Sequence, residues 1–302
     1  MKLALGPVLY YWTREKLEEF YEEIADAPVD IVYLGETVCS RRKLMRLQDW
    51  LEIAQKLADA GKQVVLSTQA LIESESDLKT LRKIAENENF AVEANDMGAA
   101  RLLAGRKMAF VAGPYLNIYN PHTLNLLASL GATRWVMPIE MSRAALEAIQ
   151  QERPAGLETE VFAYGRMPLA FSARCFTARY HNLQKDDCQF RCLDYENGLT
   201  LKTREGQPFL VLNGIQTQSA RIYNLLGELG GMREAGVDVV RVSPQAFHTG
   251  KIVRLFRECL EQKAAPGEAM KKMEKLMPDV ACDGYWHGKP GLEQAYMNRD
   301  AE

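Results

Sequence analysis

Ala91-Val92-Glu93-Ala94-Asn95-Asp96-Met97-Gly98-Ala99-Ala100-Arg101-Leu102-Leu103-Ala104 holds, in short form, the unit that recurs along this chain. Ala91–Ala94 reads as a brief strand, Asn95-Asp96 as a polar break, and Met97–Ala104 as an amphipathic helix. Moving outward, strand-like runs fall at Lys2–Tyr10, Asp30–Leu34, Gln63–Ser67, Met108–Ala112, Arg134–Pro138, Thr159–Tyr164 and Asp238–Val242. Helical segments lie between and after them, at Arg14–Ile24, Leu44–Ala60, Ser76–Glu88, Pro121–Leu130, Ser142–Gln150, Gln218–Ala235 and Ala246–Gln262. Thr13, Asn120 and Ser142 supply helix-start chemistry, Asn120 with Pro121 directly behind it.

Eight strands, each followed by a helix, predict an α/β fold of the (β/α)8 TIM-barrel type. The competing architecture, an open doubly wound sheet, calls for a glycine-rich turn after its first strand, and no G-x-G-x-x-G occurs. The 302 residues are expected to form a single barrel with two departures from the rhythm. One is an insertion at 165–216 after strand seven, about fifty residues long, where barrel loops usually carry chemistry. It includes a plausible hairpin, Gly198–Thr203 with Phe209–Asn213. The other is an aromatic and glycine-rich tail at 279–302, expected to fold over one end.

A net charge of -3, with 47% hydrophobic and 25% charged residues, gives no electrostatic case for nucleic acid. The apolar start is broken by Gly6-Pro7 and runs straight into Thr13-Arg14-Glu15-Lys16, so a first strand is expected there rather than a secretory signal. No run of the length that spans a bilayer occurs, and a cytoplasmic location is expected. In that reducing setting, six cysteines in 302 residues point to ligands or redox groups before disulfides.

Cys175, Cys188 and Cys192 are spaced C-x12-C-x3-C among Arg, Asn and Asp residues. Cys39, in Gly35-Glu36-Thr37-Val38-Cys39-Ser40-Arg41-Arg42 directly after strand two, is the natural fourth. In a barrel, the loops after strands two and seven share the C-terminal mouth, so four sulfurs can converge there. Such a set suits structural zinc or an iron–sulfur cluster, which ligand type alone does not separate. Buried free thiols are the plain alternative. Cys259 reads as helix packing and Cys282 as a tail residue or spare ligand.

Glu36 and Glu140 follow barrel strands and are candidate acid/base groups, while Asn95, Arg174 and His181 are candidates for binding a polar substrate. Each has a plainer role to weigh: Glu36 as an ion-pair partner of Arg41 or Arg42, Asn95 as a helix cap. Tyr10, Tyr11, Trp12, Tyr115 and Tyr119 fit an aromatic pocket or ordinary barrel packing equally well.

Several stretches resemble the collagenase-like peptidase family: Tyr33-Leu34-Gly35-Glu36, Asn117-Ile118-Tyr119-Asn120, the run from Leu130 to Ser142, and Tyr164-Gly165-Arg166-Met167-Pro168-Leu169-Ala170. The family shares a barrel core and a cysteine-bearing segment after strand seven. Many members carry a cysteine just after the last of those stretches, where Pro168 stands here. That departure, with Cys39 and Cys175-Phe176-Thr177-Ala178-Arg179-Tyr180-His181, is similar to the branch serving oxygen-independent ubiquinone biosynthesis. The resemblance implies that Cys39, Cys175, Cys188 and Cys192 hold a 4Fe-4S cluster. It also implies a role in hydroxylating a ubiquinone precursor, as a heterodimer with UbiU, a second family member, and with a UbiT-like lipid-binding accessory protein. Peptidase chemistry finds little support, since neither G-x-S-x-G nor H-E-x-x-H is present and the four histidines are scattered. A zinc-bearing, non-catalytic scaffold stays open on the residues alone.

Overall fold

Along each barrel strand, apolar residues occupy both parities, so both faces of the sheet must be covered. The computed structural model, which describes residues 1–296, sorts them into two sets. Ala4, Ile31, Tyr33, Val65, Val111, Val136 and Val239 form one buried cluster inside the barrel. Their neighbours of opposite parity, such as Leu5, Val32, Leu66, Phe110 and Val240, pack in the larger cluster with the helices.

The elements run β1 (Lys2–Leu5), α1 (Arg14–Ala25), β2 (Ile31–Leu34), α2 (Leu47–Asp59), β3 (Gln63–Ser67), α3 (Glu75–Ala85), β4 (Ala91–Ala94) and α4 (Met97–Gly105). Next come β5 (Phe110–Ala112), α5 (Pro121–Ser129), β6 (Ala132–Val136), α6 (Arg143–Gln150) and β7 (Glu158–Phe171). Then follow α7 (Phe176–Tyr180), β8 (Leu199–Lys202), β9 (Pro208–Asn213), β10 (Gln216–Asn224), α8 (Leu229–Glu234), β11 (Val239–Val242), α9 (Thr249–Leu260), α10 (Pro266–Glu274) and β12 (Ala281–Cys282). Strands β1 to β7 pair in parallel in chain order. The eighth barrel strand, β11, closes the ring in parallel with β7 (Val239 opposite Glu160) and with β1 (Val239 opposite Lys2). This is the (β/α)8 barrel expected from the alternation.

The helix starts behave as the sequence indicates. Thr13 Oγ1 accepts from the Lys16 amide, Asn120 Oδ1 from Thr123, and Ser142 Oγ from Ala145. Before α4 the cap is Asp96, whose Oδ1 accepts from Gly98. The first strand ends at Leu5, because Pro7 has no amide hydrogen to continue the ladder.

One expected helix, Gln218–Ala235, forms only in its second half. Gln218–Asn224 belongs to β10, a strand that pairs with β7, β9 and β12. Helix-compatible Gln218 and Ala220 lie there buried in extended conformation within the sheet, and tertiary pairing overrides local preference. Of that expected helix, Leu226–Glu228 forms a 3-10 turn and Leu229–Glu234 a short α-helix. The excursion also starts later than expected. β7 runs through to Phe171, its second half leaving the ring to pair antiparallel with β10.

Gly165 sits where β7 turns away, at φ +131°, and a Cβ there would lie 2.6 Å from the Ser243 Cβ. Gly165→Ala is therefore expected to lose about 1–3 kcal/mol of stability. Urea denaturation of the two proteins checks this; an unchanged midpoint would mean that the bend tolerates a side chain.

The tail folds back as far as it is described. β12 adds to β10, Trp286 is buried, and Tyr285 reaches the barrel mouth. Residues 297–302 of the expected tail lie outside the described residues. Among the described residues no helix is long and apolar enough to cross a membrane.

Candidate functional site

The loop after β2 is wound around Glu36. Its Oε1 accepts from the amides of Val38 (2.9 Å) and Cys39 (3.0 Å), and the Cys39 carbonyl accepts from the Arg42 amide (3.0 Å). Arg42 then turns inward, 5% exposed. One guanidinium nitrogen donates to the Leu9 carbonyl (2.7 Å) and lies 3.5 Å from Glu36 Oε1; the other donates to Asn213 Oδ1 (2.7 Å). A single buried cation thus ties the β1 loop, the β2 loop and β9 together. Glu36 pairs with Arg42, the plainer of its two sequence readings, and is spent on shaping the Cys39 loop.

From the other side of the mouth, Cys175 opens α7, and its Sγ accepts from the Ala178 amide at 3.4 Å. The helix is pinned by Phe176 N donating to the Gly214 carbonyl and by Gly214 N donating to Thr177 Oγ1. Between Cys188 and Cys192 the chain makes two consecutive left-handed residues, Gln189 (φ 50°) and Phe190 (φ 51°), which bend it tightly. His181 Nε2 meets the Tyr195 hydroxyl at 2.9 Å and fastens α7 to the segment following Cys192.

The result is that Cys39, Cys175, Cys188 and Cys192 line one small pocket, with Arg41, Arg42 and Phe190. Burial pushes the Cys39 thiol up to about 11, against the pull of the Arg42 cation. Burial also raises Cys192, again opposed by Arg42. Metal loading at this pocket would therefore release protons. Among the described residues, no three His, Cys, Asp or Glu side chains converge tightly enough for a single metal ion. Cys259 packs in the helical layer and Cys282 is fully buried in β12; neither lines the pocket.

A second, larger cavity of about 450 Å³ opens at the C-terminal mouth of the barrel. On its floor are Glu93 and Arg241, joined at 2.8 Å. Arg241 is also held by the buried Glu160, and its guanidinium lies 3.9 Å from the Tyr33 ring centroid. Arg134 completes the cluster, hydrogen-bonded to the Tyr33 hydroxyl at 3.0 Å. Tyr115 and Phe171 form part of the wall, edge to face at 4.7 Å. Glu140 stands exposed at the rim, hydrogen-bonded by the Tyr119 hydroxyl.

The two carboxylates expected to share a mouth therefore part company: Glu140 lines the cavity and Glu36 does not. Asn95 is neither a cap nor a lining residue. It is buried below the cavity, donating to the Thr68 carbonyl (3.0 Å) and Glu93 Oε2 (3.1 Å). Arg174 is exposed and lines neither space, and His181 serves as the Tyr195 partner already described. Of the five aromatics considered, Tyr115 lines the cavity, while Tyr10, Tyr11 and Trp12 are buried elsewhere. Glu93, Glu160, Arg134 and Arg241 were not anticipated. The signal for them is a charge at an inward parity within an apolar strand, as in Val240-Arg241-Val242.

The family model for peptidase family U32 matches residues 12–296, nearly the whole chain. The chain belongs to peptidase family U32. A curated relative, the tRNA hydroxylation protein P1 of Bacillus subtilis (strain 168), is 22% identical over 193 residues, 57% of this chain. That match covers 44% of the relative, so this chain spans less than half of its length. Among solved structures, the U32 peptidase Mk0906 has a TM-score of 0.46 at 12% identity, covering 81% of this chain and 93% of that one. N-acetylneuraminate lyase from Mycoplasma synoviae also has a TM-score of 0.46, at 10% identity, covering 91% of this chain and 79% of that one. The likeness to the collagenase-like peptidases read from Tyr33–Glu36 and Tyr164–Ala170 is thus a family membership.

Proposed function

We propose that this U32 member is the iron–sulfur subunit of an oxygen-independent hydroxylation system acting on a ubiquinone precursor, the role of UbiV. Its 4Fe-4S cluster would be held by Cys39, Cys175, Cys188 and Cys192. The observation that carries the reading is that these four thiols, drawn from loops after β2 and β7, line one pocket. A tetrahedral zinc ion would ask for all four sulfurs about 2.3 Å from one point. Four cysteines around one pocket also match a 4Fe-4S cluster, whose irons each take one cysteine. Arg41 and Arg42 beside the thiols suit a cluster that carries negative charge. The relative named for tRNA hydroxylation supports hydroxylation as the chemical class.

In such a reaction a ring C–H becomes C–OH, and an oxygen donor other than O2 is reduced as it gives up the atom. The cluster, when bound, supplies one-electron transfer. This chain contributes the buried Arg42, which organises three segments around the thiols, and the barrel cavity, which offers space for a bound ring. UbiU is the expected heterodimer partner and a UbiT-like protein the expected carrier of the lipid-tailed precursor; the cytoplasm is the expected location.

Single substitutions test the ligand set. In anaerobically isolated protein co-expressed with UbiU, Cys39→Ala, Cys175→Ala, Cys188→Ala and Cys192→Ala are each expected to lose most of the iron and the brown colour. Cys259→Ala and Cys282→Ala are expected to keep both. A Cys39→Ala protein with wild-type iron and absorption would remove that residue from the site.

A further inference from the structure

We propose that the barrel-mouth cavity binds an uncharged, hydroxyl-bearing aromatic ring and holds it one side-chain layer away from the four-cysteine pocket. The inference rests on the hydroxylation reading and names where, and in what charge state, the ring is held.

The separation comes from the packing. Leu9 and Phe171 line the barrel cavity. The same two residues pack with Val38, Ile215 and Cys39, and Cys175 rests against that cluster. One apolar layer therefore has the cavity on one side and two of the thiols on the other. A cluster bound by all four cysteines would leave no iron open to a ring in the cysteine pocket. That pocket is also the much smaller of the two spaces.

The ring class comes from the walls. At about 450 Å³ the cavity is in the size range of small-molecule sites. Tyr115 and Phe171 meet edge to face at 4.7 Å, with Phe162, Pro114 and Met137 completing the apolar walls. Such surfaces favour a planar ring.

The charge state comes from the floor and rim. Arg241 is the one cation among the described residues lining the cavity, and it is already shared between Glu93 and Glu160. Glu93 and Glu140 are the other charged lining residues, so the wall has an excess of negative charge. A carboxylate-bearing ligand would meet two like charges, and the one lining cation is already neutralised by two carboxylates. A phenol meets acceptors: Glu140 at the rim and the Ser243 hydroxyl near the floor.

Calorimetric titration of the full chain with 2-methoxyphenol, benzoate and uridine tests this. Wild-type protein is expected to bind 2-methoxyphenol and to bind benzoate and uridine at least about tenfold more weakly. Leu169→Trp, at the exposed lip, and Ala70→Trp, further in, are each expected to weaken 2-methoxyphenol about tenfold without changing iron content or the cluster's visible spectrum. Iron content and the visible spectrum, read on each variant, separate loss of the cluster from loss of the ring site. Absence of phenol binding to folded wild-type protein overturns the proposal. So does benzoate or uridine binding as tightly as the phenol, or wild-type affinity in both tryptophan variants.

Discussion

Replacing Glu160 with alanine is expected to cost about 3–5 kcal/mol of unfolding free energy. Glu160 is 0% exposed, in the barrel interior, where water cannot replace a lost partner. It accepts from the Arg241 side chain and from the Tyr33 hydroxyl, and Arg134 lies 3.7 Å away. Without it Arg241 keeps only Glu93, the Tyr33 hydroxyl loses its acceptor, and a positive charge is left under-compensated beneath the cavity. Glu160→Gln keeps an acceptor and the volume but not the charge, so its loss should fall between alanine and wild type. Urea denaturation at neutral pH measures all three. An alanine variant within about 1 kcal/mol of wild type would mean that the interior charges are well solvated rather than mutually held.

Arg42→Met is the second large effect. The thioether fills part of the space but donates to nothing, so the Leu9 carbonyl and Asn213 Oδ1 each lose a donor, although Asn213 Nδ2 still reaches Leu9. Glu36 loses its cation and keeps only the two backbone donors. A loss of about 3 kcal/mol in the metal-free protein follows from removing one member of a buried ion pair. Because Arg42 also favours the thiolates of Cys39 and Cys192, the variant should fill with iron less completely than wild type at the same pH. Arg42→Lys restores charge without the two-pronged grip and should recover part of the iron and little of the stability. Full iron content in Arg42→Met would show that this guanidinium serves the fold alone.

Much of this architecture is legible in the residues, and the exceptions have a common cause. The strand–break–helix unit of Ala91–Ala104 recurs because a barrel strand needs an apolar run and a helix needs a capped, amphipathic one; both signals are local. The caps at Thr13, Asn120 and Ser142 are local too. The grouping of Cys39 with the other three cysteines was accessible because barrel topology places the loops after β2 and β7 at one mouth. What escaped is set by distant partners. Gln218–Asn224 has helix-compatible composition, and only its pairing with β7, β9 and β12 makes it a strand. Glu93, Glu160 and Arg241 look like ordinary strand charges until the ring closes and brings residues from three strands together. Asn95 reads locally as a cap or a ligand group, whereas in the fold it holds Glu93 and the Thr68 loop.

The most direct test of the central claim is the metal and sulfide content of protein purified without oxygen, alone and with UbiU. The account predicts about four iron and four acid-labile sulfide per chain, with little zinc and a broad visible absorption that reduction bleaches. A colourless protein with one zinc and no sulfide per chain would contradict it.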